Sequence, residues 1–289
     1  MFDLLFEPKQ EVLRKIHLID GEPEMSDFES AFICGLIKKY EPRRILEIGV
    51  AAGGTTSIIL QCICQLGLYD KCEIYSLDLN KKFYRDRTKE TGFLARELIE
   101  KLEHPINHTF LLGKVLAEQM ENIGNNFDLV VLDTVHSLPG EVLDMPLILK
   151  LLSPQGHVVL HDIAYHYYYN RNAISNQVLF DVMLGDRIIP FGCDKEKSTE
   201  MPNIGVIGIN EDSYKCVESI FYALTLPWAY IPDGNELDAY MNAYSKYYPE
   251  NIVNIFKVAI QLNAYEKESM PLKERIWRCG VLMLKGKTY

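Results

Sequence analysis

The sequence lacks the features that mark several classes of protein. It has 30 Lys and Arg residues against 40 Asp and Glu residues, a net charge of −10, and no basic stripe that would outweigh this excess. Nucleic acids and anionic membranes are therefore disfavoured as partners, because both attract positively charged surfaces. The seven cysteines are odd in number and include no C-x-x-C pair, so neither a disulfide framework nor a zinc site is indicated.

The pattern also lacks targeting and membrane-spanning signals. The first residues, MFDLLFEPKQEVLRK, have no basic start followed by a long apolar stretch. No apolar run reaches the roughly 18 residues that a membrane span needs. We therefore expect a cytoplasmic protein with reduced thiols. With 289 residues, 48% of them hydrophobic, the chain can form one large α/β domain with additions or two modest domains.

What the sequence does contain is an alternation of short β-rich runs with longer helical patterns. The runs that predict strands are 43–49, 72–79, 107–113, 127–133 and 157–163. The helical patterns are 55–67, 83–102, 141–152 and 174–186. Apolar strands that alternate with helices are typical of a parallel sheet covered on both faces. Two later runs, 187–191 and 203–209, have no helix between them, which predicts an antiparallel pair at one end of the sheet.

A burst of small residues separates two apolar runs in RRILEIGVAAGGTTSIIL, residues 43–60. Its spacing is E-x-G-x-x-x-G, from Glu47 through Gly49 to Gly53. A dinucleotide site would instead show G-x-G-x-x-G, with pyrophosphate on the helix N-terminus. A carboxylate two residues before the turn repels pyrophosphate and suits a ligand with a cationic end. The alternative is a plain strand-to-helix turn that needs glycine only for its backbone.

Acidic and imidazole side chains follow the strands at their carboxyl ends, where open α/β sheets bind ligands. The second strand ends at Asp78, where a carboxylate can accept both hydroxyls of a ribose. Asp133 and His136 follow the fourth strand, and His161 and Asp162 end the fifth. His136 or His161 is the candidate general base. The aspartates could instead cap the helices that follow their strands.

The segments LEIGVAAGGTT, IYSLDLN and FDLVVLDTVHS…LLSPQGHVVLHDI resemble, in order and spacing, the class I S-adenosylmethionine-dependent methyltransferases, and most of all their O-methyltransferase-like branch. The resemblance covers roughly residues 28–210. It implies a Rossmann-like, doubly wound fold with a mostly parallel seven-stranded sheet whose last strand is antiparallel. It also implies S-adenosylmethionine as cofactor, with methyl transfer to a small hydroxylated acceptor such as a sugar or a glycosylated natural product.

The resemblance divides the chain and assigns its cofactor site. We predict N-terminal helices in 1–42, an S-adenosylmethionine-binding methyltransferase core in 43–210 and a mostly helical extension in 211–289. The predicted cofactor residues are Glu47, Gly49, Gly53, Gly54, Thr55, Thr56, Asp78 and Asp133. The helix start at Thr55 and Thr56 would hold the carboxylate of the cofactor. Lys114 stands where the family often has an acid near the adenine, which leaves adenine recognition open.

Some relatives also bind a divalent metal through carboxylates after the fourth and fifth strands, and Asp133 and Asp162 match two of those positions. In the catechol-type metal enzymes a third oxygen ligand follows the second aspartate, but Ile163 occupies that position here. Two carboxylates are a thin set for a hard ion such as magnesium, and added histidines would favour a softer ion. We therefore do not favour a metal. The predicted catalytic residues are His136, His161, Asp133 and Asp162.

Two other functions stay open at this point. A catalytically inactive cofactor-binding partner protein would explain the departures from the family pattern at Lys114, Val135 and Ile163. A nicotinamide-dependent oxidoreductase is less favoured because Ala51 and Glu47 do not fit the dinucleotide pattern. The identity of the acceptor and the role of the extension are not indicated. The sequence is compatible with a homo-oligomer.

Overall fold

A seven-stranded sheet forms the centre of the structure, a computed structural model that describes residues 4–17, 25–190 and 202–269. In chain order the strands are β1 (Arg44–Ile48), β2 (Glu73–Asp78), β3 (Asn107–Leu112), β4 (Phe127–Leu132), β5 (Leu152–His161), β6 (Asp186–Ile188) and β7 (Ile204–Gly208). They lie in the order β3-β2-β1-β4-β5-β7-β6. The first five strands pair in parallel, and β7 runs antiparallel to β5 and β6. The predicted fold class is confirmed.

Helices cover both faces of this sheet. They are α1 (Gln10–His17), α2 (Asp27–Tyr40), α3 (Gly54–Gln65), α4 (Phe93–Ile99), α5 (Leu116–Ile123), α6 (Gly140–Leu151), α7 (Tyr165–Tyr168), α8 (Ser175–Val182), α9 (Val217–Ala223), α10 (Gly234–Tyr247) and α11 (Glu250–Ser269). Successive side chains of a strand point to opposite faces. Ile45 therefore packs in one core with α1 to α4, while Leu46 packs in a second core with α5, α6 and α8 to α11. Burial on both faces explains why the strands are apolar throughout.

The C-terminal helices share a core with the sheet. Tyr240 and Tyr244 of α10 are buried in the same cluster as α6, and the Tyr248 hydroxyl donates a hydrogen bond to the Pro146 carbonyl of α6 at 2.5 Å. These helices pack against the seven-stranded sheet and have no separate core among the described residues. The predicted division of the chain after residue 210 stays a prediction. Among the described residues, every helix is too short or too polar to cross a bilayer.

The prediction of a helix over 83–102 is wrong. Residues 81–91 form a short hairpin in which Phe83 N–H donates to the Lys89 carbonyl and Thr91 N–H donates to the Lys81 carbonyl, both at 3.1 Å. Helix α4 begins only at Phe93. The hairpin continues into Gly92, whose N–H donates to the Ala51 carbonyl at 2.9 Å. Backbone bonds to the glycine turn therefore overrode the helical spacing of the apolar residues.

Asp144 is a buried acid on the face of α6 that meets the C-terminal helices. Its side chain accepts a hydrogen bond from the Tyr240 hydroxyl at 2.6 Å. Burial raises the pKa of Asp144 to about 7; the Tyr240 bond opposes this change, and the negative charges of Glu141 and Glu236 add to it. Because the folded pKa lies above the ordinary value of 3.8, the stability contributed by the protonated acid is full below that value and is lost as the pH rises through about 7.

We expect Asp144→Asn to raise the free energy of unfolding by roughly 1–3 kcal/mol at pH 8 and to change it little at pH 4. Asparagine keeps an oxygen that can accept from Tyr240, but it never ionises. Urea unfolding at the two pH values measures the difference. An equal effect at both values would show that ionisation of Asp144 does not carry this pH dependence.

Candidate active site

The glycine turn between β1 and α3 lies at the carboxyl edge of the sheet. Gly49 and Gly53 have φ angles of +98° and +89°, in the left-handed region. A Cβ at Gly49 would lie 1.7 Å from the carbonyl oxygen of Asp133, and a Cβ at Gly53 would lie 2.9 Å from the Cα of Gly92. Both glycines are therefore required by close approach of protein backbone. Their predicted contact with a cofactor stays a prediction.

Asp78 ends β2 beside this turn, as predicted. Its Oδ2 accepts the N–H groups of Val50 at 2.9 Å and Ala51 at 3.0 Å, and its Oδ1 accepts the N–H of Asn80 at 2.7 Å. These bonds fix the carboxylate against the turn. A carboxylate has about four acceptor positions on its two oxygens. Asp78 can therefore accept from a ligand hydroxyl while it holds the turn.

Four further predicted cofactor residues lie on β1 and at the start of α3, whereas Asp133 follows β4. Glu47 and Thr56 are fully buried, and the Thr56 hydroxyl donates to Glu47 Oε2 at 2.6 Å. Gly54 and Thr55 form the first positions of the helix and are also buried. The Glu47–Thr56 bond joins β1 to α3. The structure thus brings these residues together and shows that Glu47 and Thr56 stabilise the turn from within.

The loops after β4 and β5 bring the four predicted catalytic side chains together. His136 Nε2 lies 3.3 Å from Asp162 Oδ2, and His136 Nδ1 lies 3.7 Å from Asp133 Oδ1. His161 Nδ1 lies 3.1 Å from the same Asp133 oxygen. Asp133, His136 and Asp162 each offer one ligand atom, and these atoms all lie within 4.8 Å of one another. We call Asp133, His136, His161 and Asp162 the charged cluster.

The two histidines of the charged cluster differ in environment. His161 is only 2% exposed, and its Nε2 lies 3.4 Å from Glu29 Oε1. Burial lowers the pKa of His161, but Asp133, Asp162 and Glu29 outweigh burial and raise this pKa well above its ordinary value. His161 is therefore a buried imidazolium at neutral pH and cannot accept a proton. The side chain of His136 is 18% exposed, so His136 is the better candidate base.

The attraction between Asp133 and His161 also changes the pKa of Asp133. Burial raises the pKa of Asp133, but the positive charge of His161, whose Nδ1 lies 3.1 Å away, outweighs burial, and the pKa falls below its ordinary value. Asp133 is therefore ionised at neutral pH. The charged cluster holds a buried ion pair in which the histidine is the cation.

Two residues that were not predicted from the sequence, and that come from distant parts of the chain, also contact the charged cluster. Glu29 belongs to the capping box of α2, where its Oε2 accepts the N–H of Ser26 at 2.9 Å, and its other oxygen faces His161. Asn203, next to β7, donates through Nδ2 to Asp162 Oδ1 at 2.5 Å. The S-x-x-E pattern at 26–29 signals a helix start. It carries no signal that Glu29 reaches the end of β5, and Asn203 has no local signal at all.

Two tyrosines of the segment YHYYYN, residues 165–170, line one side of the charged cluster. The ring centroid of Tyr165 lies 5.7 Å from that of His136, and Tyr169 stacks on Tyr165 at 5.0 Å. Tyr169 is exposed. The arrangement is an aromatic wall beside the candidate base.

The fold and the site together define a class of protein. A doubly wound sheet with an antiparallel β7, a glycine turn after β1, an acid at the end of β2 and polar side chains after β4 and β5 make up the class I methyltransferase fold. A family model described as "Methyltransferase domain" matches residues 46–163. That span begins in β1, ends two residues after β5, and includes the turn and the charged cluster. This match confirms the predicted resemblance to methyltransferases over residues 46–163.

Several solved structures are similar to this chain. The O-methyltransferase TomG from Streptomyces achromogenes, involved in tomaymycin synthesis and solved with S-adenosylmethionine, is 15% identical, with 71% of this chain and 92% of that chain covered and a TM-score of 0.50. The Podospora anserina methyltransferase PaMTH1, bound to S-adenosylhomocysteine, is 14% identical, with 72% and 91% covered and a TM-score of 0.49. An O-methyltransferase from Bacillus cereus in complex with S-adenosylhomocysteine is 17% identical, with 70% and 92% covered and a TM-score of 0.47. No curated protein matches the chain.

Proposed function

We propose that the protein is an S-adenosylmethionine-dependent O-methyltransferase that acts on a small hydroxylated acceptor, such as a sugar or a glycosylated natural product. The observation that carries the proposal is that the turn with Asp78 and the charged cluster lie on neighbouring strands at one edge of the sheet. Methyl transfer is an in-line displacement, so the protein must hold the methyl donor and the acceptor side by side and remove the acceptor's proton. Two adjacent sites suit this task.

The turn fits S-adenosylmethionine better than a dinucleotide. The N-terminus of α3 offers backbone N–H groups to the carboxylate of the cofactor. Asp78 stands beside the turn, where its remaining acceptor position suits a ribose hydroxyl. The buried carboxylate of Glu47, two residues before the turn, disfavours pyrophosphate through charge repulsion. TomG, which shares the fold, is described with S-adenosylmethionine bound, in line with this cofactor.

His136 is the proposed general base. As the sulfonium methyl moves to the acceptor oxygen, the hydroxyl proton passes to the imidazole of His136, and the donor leaves as S-adenosylhomocysteine. Asp133 and Asp162 flank the ring and stabilise the imidazolium that forms. Oxygen is the acceptor atom in this proposal because a hydroxyl, unlike a thiolate, needs a base beside it at neutral pH.

The charged cluster also fits a divalent ion. Asp133, His136 and Asp162 would be its ligands, and a mixed imidazole and carboxylate set suits manganese, iron or zinc better than magnesium. Such an ion would lower the pKa of the acceptor hydroxyl. We propose the metal-free reaction, because Ile163 occupies the position of a third oxygen ligand and the charge of His161, 3.1 Å from Asp133, already compensates one of the two aspartates.

Two measurements test the proposed function. Calorimetric titration with S-adenosylhomocysteine should give a clear binding signal, and absence of binding by either cofactor form would defeat the proposal. Incubation with S-adenosylmethionine and a panel of hydroxylated sugars and glycosides should then yield a methylated product. Cofactor binding without transfer to any compound would favour an inactive partner protein. A change in NADH fluorescence on titration would favour an oxidoreductase.

A further inference from the structure

The loop after β4 is tied to helix α6 by an acid that the proposed reaction does not use. Glu141 lies in the first turn of α6 and is fully buried. Its Oε1 accepts the backbone N–H of His136 at 2.7 Å and that of Thr134 at 3.2 Å. The Oε1 atom also lies 3.8 Å from the ring nitrogen Nδ1 of His136. Among the described residues, its Oε2 has no hydrogen-bond partner.

These bonds hold a backbone conformation that His136 does not adopt by preference. Its φ is +61°, in the left-handed region. For a residue other than glycine this region is unfavourable, because Cβ crowds the backbone. On the opposite side, the N–H of Ser175 donates to the His136 carbonyl at 3.1 Å. The peptide groups of His136 are thus tied on both sides, and relaxation to an ordinary φ would swing its ring away from Asp162.

Glu141 does not serve as an ordinary helix cap. A capping side chain accepts from N–H groups of its own helix. Among the described residues, both hydrogen bonds of the Glu141 side chain instead go to the preceding loop, to residues five and seven positions earlier. A buried carboxylate is costly to keep, and charge-assisted bonds to two N–H groups offset part of that cost. The hydrogen bonds of Glu141 therefore stabilise the conformation of the loop that carries His136.

We infer that Glu141 is a positioning residue for His136: its carboxylate oxygen holds the loop after β4 so that the His136 ring stays between Asp133 and Asp162. The inference rests on the proposed role of His136 as the base. Glu141 itself touches neither cofactor nor acceptor in this scheme. Its acceptor oxygen, rather than its size, is what the loop requires.

The direct test compares Glu141→Met with Glu141→Gln. Methionine matches the length of glutamate but cannot accept the two N–H bonds, whereas glutamine keeps an acceptor oxygen. Asp144→Asn, a change of a buried acid three residues further along α6, is the matched control. The readouts are hydrogen exchange of the 133–138 backbone and the NMR signals of the His136 ring, assigned by their loss in His136→Ala.

We expect Glu141→Met to lower the exchange protection of Thr134 and His136 at least tenfold and to shift the His136 ring signals towards those of a free histidine. Glu141→Gln should leave both nearly unchanged, and Asp144→Asn should neither lower the protection nor shift the ring signals. Unchanged protection and ring signals in a folded Glu141→Met would overturn the inference. If Glu141→Met does not fold, loss of the ring signals in Glu141→Gln would overturn it equally, because that variant keeps the acceptor.

Activity separates this inference from the proposed function. With an acceptor found in the panel, Glu141→Met should lower kcat roughly 10- to 100-fold and leave the KM for S-adenosylmethionine within about threefold, since misplacement of a reacting group by about 1 Å has effects of this size. In a His136→Ala background the same change should have no further effect. A further loss there would show a structural role. If His136→Ala is itself harmless, the assigned base is wrong, whereas the exchange result still reports on Glu141.

Discussion

Replacement of His136 by alanine is expected to lower turnover roughly 10²- to 10⁴-fold, the usual range for removal of a general base. The reason is positional: His136 is the partly exposed histidine of the charged cluster, while His161 is buried and already protonated. The affinity for S-adenosylhomocysteine should change little, because its proposed contacts lie mainly on β1, β2 and α3. Steady-state turnover and calorimetry measure the two effects separately.

A matched control is His104→Ala. His104 is exposed, precedes β3 at the opposite edge of the sheet and stacks on Tyr69. Its loss should leave turnover unchanged. If His136→Ala also left turnover unchanged, the base would have to be another group.

A chelator distinguishes the two mechanisms that the charged cluster allows. In the metal-free reaction, dialysis against EDTA leaves turnover within about twofold. If a divalent ion held by Asp133, His136 and Asp162 activated the acceptor, EDTA would abolish turnover and manganese would restore it. Cofactor binding should survive in either case. Loss of turnover with EDTA and its restoration by manganese would therefore prove the metal-free proposal wrong. This result would not contradict the proposal that S-adenosylmethionine is the cofactor.

The sequence predicts the charged cluster because of a general property of parallel sheets. Asp133 and Asp162 are 29 residues apart, but each follows a strand, and the carboxyl ends of adjacent parallel strands meet at one edge. The residues that complete the cluster obey no such rule. Glu29 comes from a helix before the sheet and Asn203 from a segment 174 residues later, and their side chains meet at 3.5 Å. Only the assembled fold brings them together.

Predictions from local sequence pattern were wrong where hydrogen bonds between distant parts of the chain determine the structure. Residues 83–102 have helical spacing, but their first half forms a hairpin because Phe83 is buried and Gly92 bonds to the glycine turn. Likewise, the position of Ile163 disfavoured a third metal ligand on sequence grounds. The structure places His136 near Asp162 instead, through a left-handed backbone that sequence spacing cannot reveal.

Asp78→Ala is expected to weaken the binding of S-adenosylhomocysteine roughly 10- to 100-fold, because charge-assisted hydrogen bonds to the ribose are worth about 1.5–3 kcal/mol. The variant also removes the acceptor of the Val50 and Ala51 N–H groups, so part of the loss could come from the turn. Asp86→Ala is the control, since Asp86 lies in the same loop after β2 and its side chain contacts the nearby Thr88 and Lys89.

A ligand without the ribose 2′-hydroxyl separates the two effects. In the unmodified protein, 2′-deoxy-S-adenosylhomocysteine should bind more weakly than S-adenosylhomocysteine, because an acceptor position of Asp78 goes unused. In Asp78→Ala the two ligands should bind alike, whatever has happened to the turn, since the group that distinguishes them is gone. A difference that persists in the variant would place the ribose away from Asp78. Equal binding in both proteins would mean that Asp78 serves the turn alone, through its bonds to Val50 and Ala51.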